Sequence, residues 1–251
     1  MRPGVIAAAV LAMAGTAACT SPDPAPAPAA DVLVFTRTAG FRHDSIPAGL
    51  EAVRAVAAAE GLAVTATEDP AQLAGLDRYA AVVFLNTSGE VLDAGSRAAL
   101  EAYVRGGGGW LGVHAAADTE YGWPFYGELV GARFARHPPV QPLTVRVDRD
   151  HPATAQLPAA WRVTDEPYDF RARPGAGVRV LARLEESSYR GGGMGADHPI
   201  TWCHQVGAGR SFYTGLGHPT ELYADPGFRG LLRGGLSWAA GKAAGSCGPA
   251  S

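Results

Sequence analysis

Three of the seven histidines in this 251-residue chain stand where a short apolar run gives way to a polar loop. His43 lies in the loop Arg37-Thr38-Ala39-Gly40-Phe41-Arg42-His43-Asp44-Ser45, after the run 31–36 (DVLVFT). His114 directly follows 108–113 (GGWLGV), and His218 closes Gly215-Leu216-Gly217-His218 after 210–214 (RSFYT). Imidazoles titrate near neutrality, so a group of them suits proton transfer beside a carbonyl, or hydrolysis. A fourth segment, Asp165-Glu166-Pro167-Tyr168, adds two carboxylates and a phenol. Neighbouring side chains on a strand point to opposite faces, so only one of these carboxylates is expected in a shared pocket. His43, His114, Glu166 and His218 are therefore the candidate catalytic residues. Arg42, Asp118, Asp165, Tyr168, His198 and Trp123 are candidate substrate contacts. Asp118, four residues past His114, and Glu166 are the carboxylates that could fix a histidine tautomer.

Each ring also has a structural reading. His43-Asp44 could be a helix-capping turn, His114 a satisfied strand end, and His218 a backbone-bonding residue in a tight turn. His137 and His151 each precede a proline and read as loop punctuation. His204 sits on a strand, orienting or exposed. There is no His-x-x-x-His or Cys-x-x-Cys, so a divalent metal site would have to be assembled in three dimensions from His43, His114, His218 and a carboxylate.

The elements that must position these residues alternate. Strands are expected over 31–36, 62–67, 79–85 and 108–114, with helices over 45–60 and 93–104; Ser45 is a plausible cap and Pro47 is allowed in the first turn. The run 79–85 (YAAVVFL) is continuously apolar, the mark of a strand covered on both faces. Alternation of this kind argues for a parallel sheet flanked by helices, in which ligands bind beyond the carboxyl ends of the strands. After about residue 133 the pattern turns to strands, over 143–147, 178–184, 200–205 and 210–214, the last two joined as a hairpin by Val206-Gly207-Ala208-Gly209. A helix over 225–240 closes the body. The glycine run 106–109 precedes a strand, whereas a dinucleotide fingerprint follows one, and no Gly-x-Ser-x-Gly elbow occurs.

Composition narrows the chemistry further. The chain has 47% hydrophobic and 18% charged residues and a net charge of -3, an ordinary globular balance with no basic block for nucleic acid. Lys242 is the single lysine, so the folded body has none for a Schiff base or a phosphate-binding loop. Residues 1–18 have the charged, apolar, small-residue order of an export signal. Thr16-Ala17-Ala18-Cys19 resembles a lipoprotein processing site with Cys19 as the lipidated residue, and 19–30 reads as a Pro/Ala tether. The protein is then expected outside the cytoplasm, on the outer face of the cell membrane through a lipid anchor, or secreted. Cys203 and Cys247 remain as an even pair for a disulfide in an oxidising compartment.

Gly40-Phe41-Arg42-His43-Asp44-Ser45, Gly112-Val113-His114, Thr164-Asp165-Glu166-Pro167-Tyr168, Gly195-Ala196-Asp197-His198-Pro199 and Gly215-Leu216-Gly217-His218 together resemble the ThuA-like (trehalose-utilisation) family. The resemblance spans 31–241 and leaves 242–251 as a tail. It implies a flavodoxin-related, class I glutamine amidotransferase-like fold and a link to sugar metabolism. Amidotransferases of that fold carry a cysteine nucleophile at the strand–helix turn, which here is Gly112-Val113-His114-Ala115-Ala116, without a cysteine. Two functions are open: an enzyme acting on a sugar or keto-sugar by hydrolysis or proton transfer, and a non-catalytic carbohydrate-binding lipoprotein with Trp123, Tyr126, Tyr168 and Trp202 stacked on sugar faces.

Overall fold

Apolar runs without alternation form the middle of the sheet, as burial on both faces requires. A computed structural model describes Met1 and residues 31–248; Cys19 and the tether lie outside the described residues. β1 (Asp31–Phe35) leads through α1 (Ile46–Ala59), β2 (Ala63–Thr67), β3 (Tyr79–Leu85) and α2 (Ala94–Arg105) to β4 (Gly109–Val113). After a short α3 (Pro124–Val130) come β5 (Phe134–Arg136), β6 (Gln141–Val147), β7 (Ala160–Asp165) and β8 (Asp169–Phe170). β9 (Arg179–Leu184), β10 (Pro199–Val206) and β11 (Gly209–Thr214) follow, and α4 (Pro226–Ala239) closes the body.

Nine strands form one mixed sheet in the order β2-β1-β3-β4-β11-β10-β9-β6-β7, while β5 and β8 pair separately. The strands from β2 to β11 in that order run parallel, and the remaining four extend the same sheet antiparallel. The β-rich second half is thus a continuation of the first sheet. The hinge is the β10–β11 hairpin, whose second strand inserts parallel to β4. All five residues of β4 are buried, as are six of the seven in β3. α1 packs on α4, and α2 and α3 lie against β11. Helix starts follow from local chemistry. Asp93 and Ser96 form a reciprocal capping box on α2, and Asp225 accepts from the Phe228 amide ahead of Pro226 on α4. No helix among the described residues is long and apolar enough to cross a membrane.

Cys203 on β10 is joined to Cys247 across 44 residues, which fastens the tail to the sheet. A loop of that length contributes about 4 kcal/mol on the chain-entropy model. His151, read from sequence as loop punctuation, is fully buried beside this bond. Its Nδ1 accepts from the Ala153 amide at 3.1 Å, and its Nε2 lies 3.3 Å from Cys247 Sγ.

Burial, with Arg179 nearby, pushes the His151 imidazole down to about 4. The unfolded ring titrates near 6.5, so the folded state binds the proton less well. Its contribution is complete above pH 6.5 and is lost as pH falls toward 4. His151→Asn keeps an acceptor for the Ala153 amide but removes the titrating ring. Between pH 7 and pH 4 the wild type should lose on the order of 3 kcal/mol more stability than this variant in urea titrations. Parallel losses would refute the assignment.

Candidate active site

β1, β3, β4 and β11 all end on the same edge of the parallel half, and their exits are held together by polar groups. Asp165, the last residue of β7, is fully buried and has no cation partner among the described residues. Its carboxylate instead accepts three backbone amides, from Glu166 at 2.8 Å, Gly217 at 2.8 Å and His218 at 3.0 Å. Burial pushes this carboxyl up, against the opposing pull of His114 and the three amides. From the opposite side the Gly217 carbonyl accepts from Tyr223 Oη at 2.9 Å and more distantly from Asn86 Nδ2 and Ser45 Oγ. Gly217 has φ +131°, and a Cβ there would approach Tyr223 Oη to 2.9 Å, so only glycine fits. Ser45 stands at the start of α1 but makes no capping bond; its hydroxyl serves Gly217 and Asn86 instead.

This frame brings His43, His114, His218 and Glu166 into one cluster. His114 follows β4 directly and has φ +49°, a left-handed turn at the strand exit. Its Nδ1 lies 2.8 Å from the Gly215 carbonyl, which can only accept, so Nδ1 carries the proton and Nε2 faces the cluster. That nitrogen is 3.3 Å from His218 Nδ1 and 3.5 Å from Glu166 Oε2, and His218 Nδ1 is 3.1 Å from the same oxygen. The His43 ring sits edge-on to His114 and His218, with centroids 4.8 and 5.0 Å away. Burial above all, then the two neighbouring rings, lowers His43 to about 3, which keeps it neutral. Burial alone would raise Glu166, but the His114 and His218 rings beside it outweigh that and hold the carboxyl at about 2; with the His114 proton on Nδ1, it is His218 that donates to Glu166. The Glu166 hydrogen bond raises His218.

Of the two neighbouring carboxylates, only Glu166 stands with the rings. β7 ends at Asp165, so strand alternation stops before Glu166. Asp165 grips the backbone of the His218 loop while Glu166 touches the rings. A carboxylate does not fix the His114 tautomer; a backbone carbonyl does. Asp118 accepts from Tyr121 Oη at 2.8 Å and makes no ion pair with the cluster. Arg42 is exposed and paired with Glu68. His198 is buried in a separate network, bonded to the Tyr168 carbonyl and to Glu186, whose carboxylate also accepts amides of the glycine-rich loop. His204 is buried rather than exposed, its Nε2 2.8 Å from the Glu128 carbonyl. Two residues were not anticipated. His137 Nδ1 lies 2.8 Å from Glu166 Oε1, and Asn86, with φ +51°, ties β3 to the Gly217 loop.

The aromatic residues expected to stack on sugars are mostly core. Tyr126 and Trp202 are fully buried, with their polar atoms donating to the Ala116 and Val130 carbonyls. Tyr168 is buried with its ring 4.1 Å from that of His114, and half-buried Trp123 packs against Phe125 and Tyr126. Exposed Phe41 and Val140 instead rim a pocket of about 300 Å³ walled by His43, Ser45 and His218.

Residues 31–239 match the ThuA family model, described as trehalose utilisation. The chain belongs to the ThuA family. A protein from Bacteroides uniformis described as ThuA-like is 26% identical, with 86% of this chain and 94% of that one covered and a TM-score of 0.73. A second ThuA-like protein, from Parabacteroides merdae, is 21% identical over 84% and 89% of the two chains, with a TM-score of 0.70. A Thermoplasma acidophilum protein described as part of a GMP synthase shares the fold alone, at 14% identity, 84% and 94% coverage and a TM-score of 0.52. Among curated proteins none matches this sequence. In this ThuA chain His114 occupies the strand–helix turn, and the two cysteines among the described residues are bonded to each other elsewhere.

Asp165→Asn tests the frame. An amide cannot accept from both loop amides without presenting its own donor to one of them. Stability should fall by about 2–3 kcal/mol in denaturant titrations, the scale of lost hydrogen bonds to a charged group. The His218 imidazole resonances should shift with it. An unchanged midpoint would show that the clamp holds nothing.

Proposed function

We propose that this ThuA protein is an enzyme acting on a sugar or keto-sugar, by hydrolysis or by proton transfer beside a carbonyl. The observation that supports this is the convergence of three imidazoles and one ionised carboxylate beside a pocket. Glu166 and His218 are the natural proton carriers. The histidine is partly open to solvent, at 26% side-chain exposure, and its partner carboxylate is held in place by neighbouring rings. His43 is kept neutral by burial, and His114 turns Nε2 toward the cluster because its Nδ1 donates to the Gly215 carbonyl. A sugar suits the pocket because Phe41 and Val140 give an apolar face while Asp44 and Thr220 give polar groups. The family's description as trehalose utilisation points the same way. The burial of Tyr126, Tyr168 and Trp202 removes the stacking groove on which the binding-protein reading relied. With histidine at the turn, glutamine hydrolysis through a cysteine nucleophile has no nucleophile to start from.

A panel of disaccharides, with and without oxidation to the keto form, should contain a substrate. Glu166→Gln preserves shape and should lower turnover by ~10²-fold or more. The melting temperature should change by only a few degrees. His114→Ala is a poorer probe, because its left-handed backbone and buried ring make it structural as well. Turnover that survives Glu166→Gln and His218→Ala would refute the assignment.

We also infer export through residues 1–18, with anchoring at Cys19 and residues 19–30 as tether. Cys19→Ser should move the protein from the membrane fraction to the soluble one; identical fractionation would count against anchoring.

A further inference from the structure

We propose that His43, His114, His218 and Glu166 bind a divalent first-row transition-metal ion. The inference deepens the catalytic reading above and rests on it for the ion's use, though not for its binding. One ligand atom from each of the four residues lies within 4.8 Å of the others. Three of the separations are tighter: 3.3 Å between His114 Nε2 and His218 Nδ1, 3.5 Å from His114 Nε2 to Glu166 Oε2, and 3.1 Å from His218 Nδ1 to that oxygen. Ligands about 2.0–2.1 Å from a tetrahedral ion stand about 3.3–3.4 Å apart, so this triangle is already the size of a coordination face.

Hydrogen bonding around the triangle aims its three ligand atoms at a common centre. The Gly215 carbonyl places the proton on His114 Nδ1, so its Nε2 lone pair points at His218 Nδ1. A proton on His218 Nδ1 serves that lone pair and Glu166 Oε2 in the metal-free protein, and an ion taking the proton's place would meet the same three atoms. His43 is 5% exposed, and its Nδ1 is buried with no hydrogen-bond partner among the described residues. A buried imidazole nitrogen without a partner is costly, and a metal ion is one of the few groups that would satisfy it. His137, 2.8 Å from Glu166 Oε1, would orient the carboxylate from outside the ligand set, as the Gly215 carbonyl orients His114. The other two groups of metal-ligating side chains among the described residues are otherwise engaged. One contains the disulfide sulfurs, and in the other Asp169 pairs with Arg136 while Glu186 accepts backbone amides.

Three imidazoles with one carboxylate select zinc, cobalt, nickel, manganese or iron over magnesium and calcium, which prefer all-oxygen shells. The partly exposed His218 edge leaves the pocket side open for a water molecule or a sugar oxygen. An ion there would supply Lewis acidity toward that oxygen.

The test uses the whole folded protein, stripped with a chelator and titrated with cobalt(II) while visible absorption is followed. One equivalent should bind with ligand-field bands of a four- or five-coordinate site, and zinc should displace it. His218→Ala and Glu166→Gln, verified as folded by circular dichroism, should weaken binding by more than ~10²-fold, whereas Glu186→Gln should bind normally. Absence of stoichiometric binding would overturn the proposal, as would loss of the bands in Glu186→Gln but not in His218→Ala. Turnover by metal-free protein would overturn the ion's catalytic use and leave the acid–base reading standing. Tight binding with no turnover of any sugar would overturn the sugar-enzyme reading and leave the metal site standing.

Discussion

A single buried carboxylate determines where the chemistry sits. Asp165 has no cation partner among the described residues, and its oxygens accept three backbone amides, two of them in the loop that carries His218. A carboxylate taken out of water needs such bonds, and an amide taken out of water needs an acceptor, so each side requires the other. The contact joins the end of an antiparallel strand to the exit of a parallel one. Glu166 follows at the next position and arrives among the rings because Asp165 is fixed. The cluster is therefore built by the seam between the two halves of the sheet.

His114 shows how the fold's own geometry is reused. A parallel strand that turns sharply into a helical segment presents its first residue at the sheet edge, and a left-handed backbone there turns the side chain into the open. In this chain that residue is an imidazole donating to a carbonyl across the edge. Asn86 makes the same kind of left-handed exit one strand away and spends its amide on structure. The two exits share a backbone device and differ in what their side chains can do.

Much of the framework was legible in the sequence because the central strands are covered on both faces and appear as unbroken apolar runs, β3 being the clearest. The three strand-exit histidines were legible for the same reason, since knowing where a parallel strand stops fixes where its ligand edge lies. β5 and β8 were not, being three and two residues long and too short for any period. His137 and His151 were misread because a following proline marks a loop without saying what the loop lies against. Tyr126 and Trp202 were misread because an aromatic side chain looks alike in a core and at a surface. The roles of Asp165 and Glu166 depended on the residue at which β7 ends, and strand ends are the least defined feature of an apolar pattern.

The cluster draws one residue each from positions 43, 114, 166 and 218, so no contiguous stretch of the chain contains it. Such long-range contacts close late, after the local elements that supply them. A fragment, a partly folded intermediate or a chain cut between its halves would hold imidazoles and a carboxylate but no assembled group. Chemical silence is thus the default of every incomplete form, and the appearance of the assembled group reports that both halves of the sheet have met.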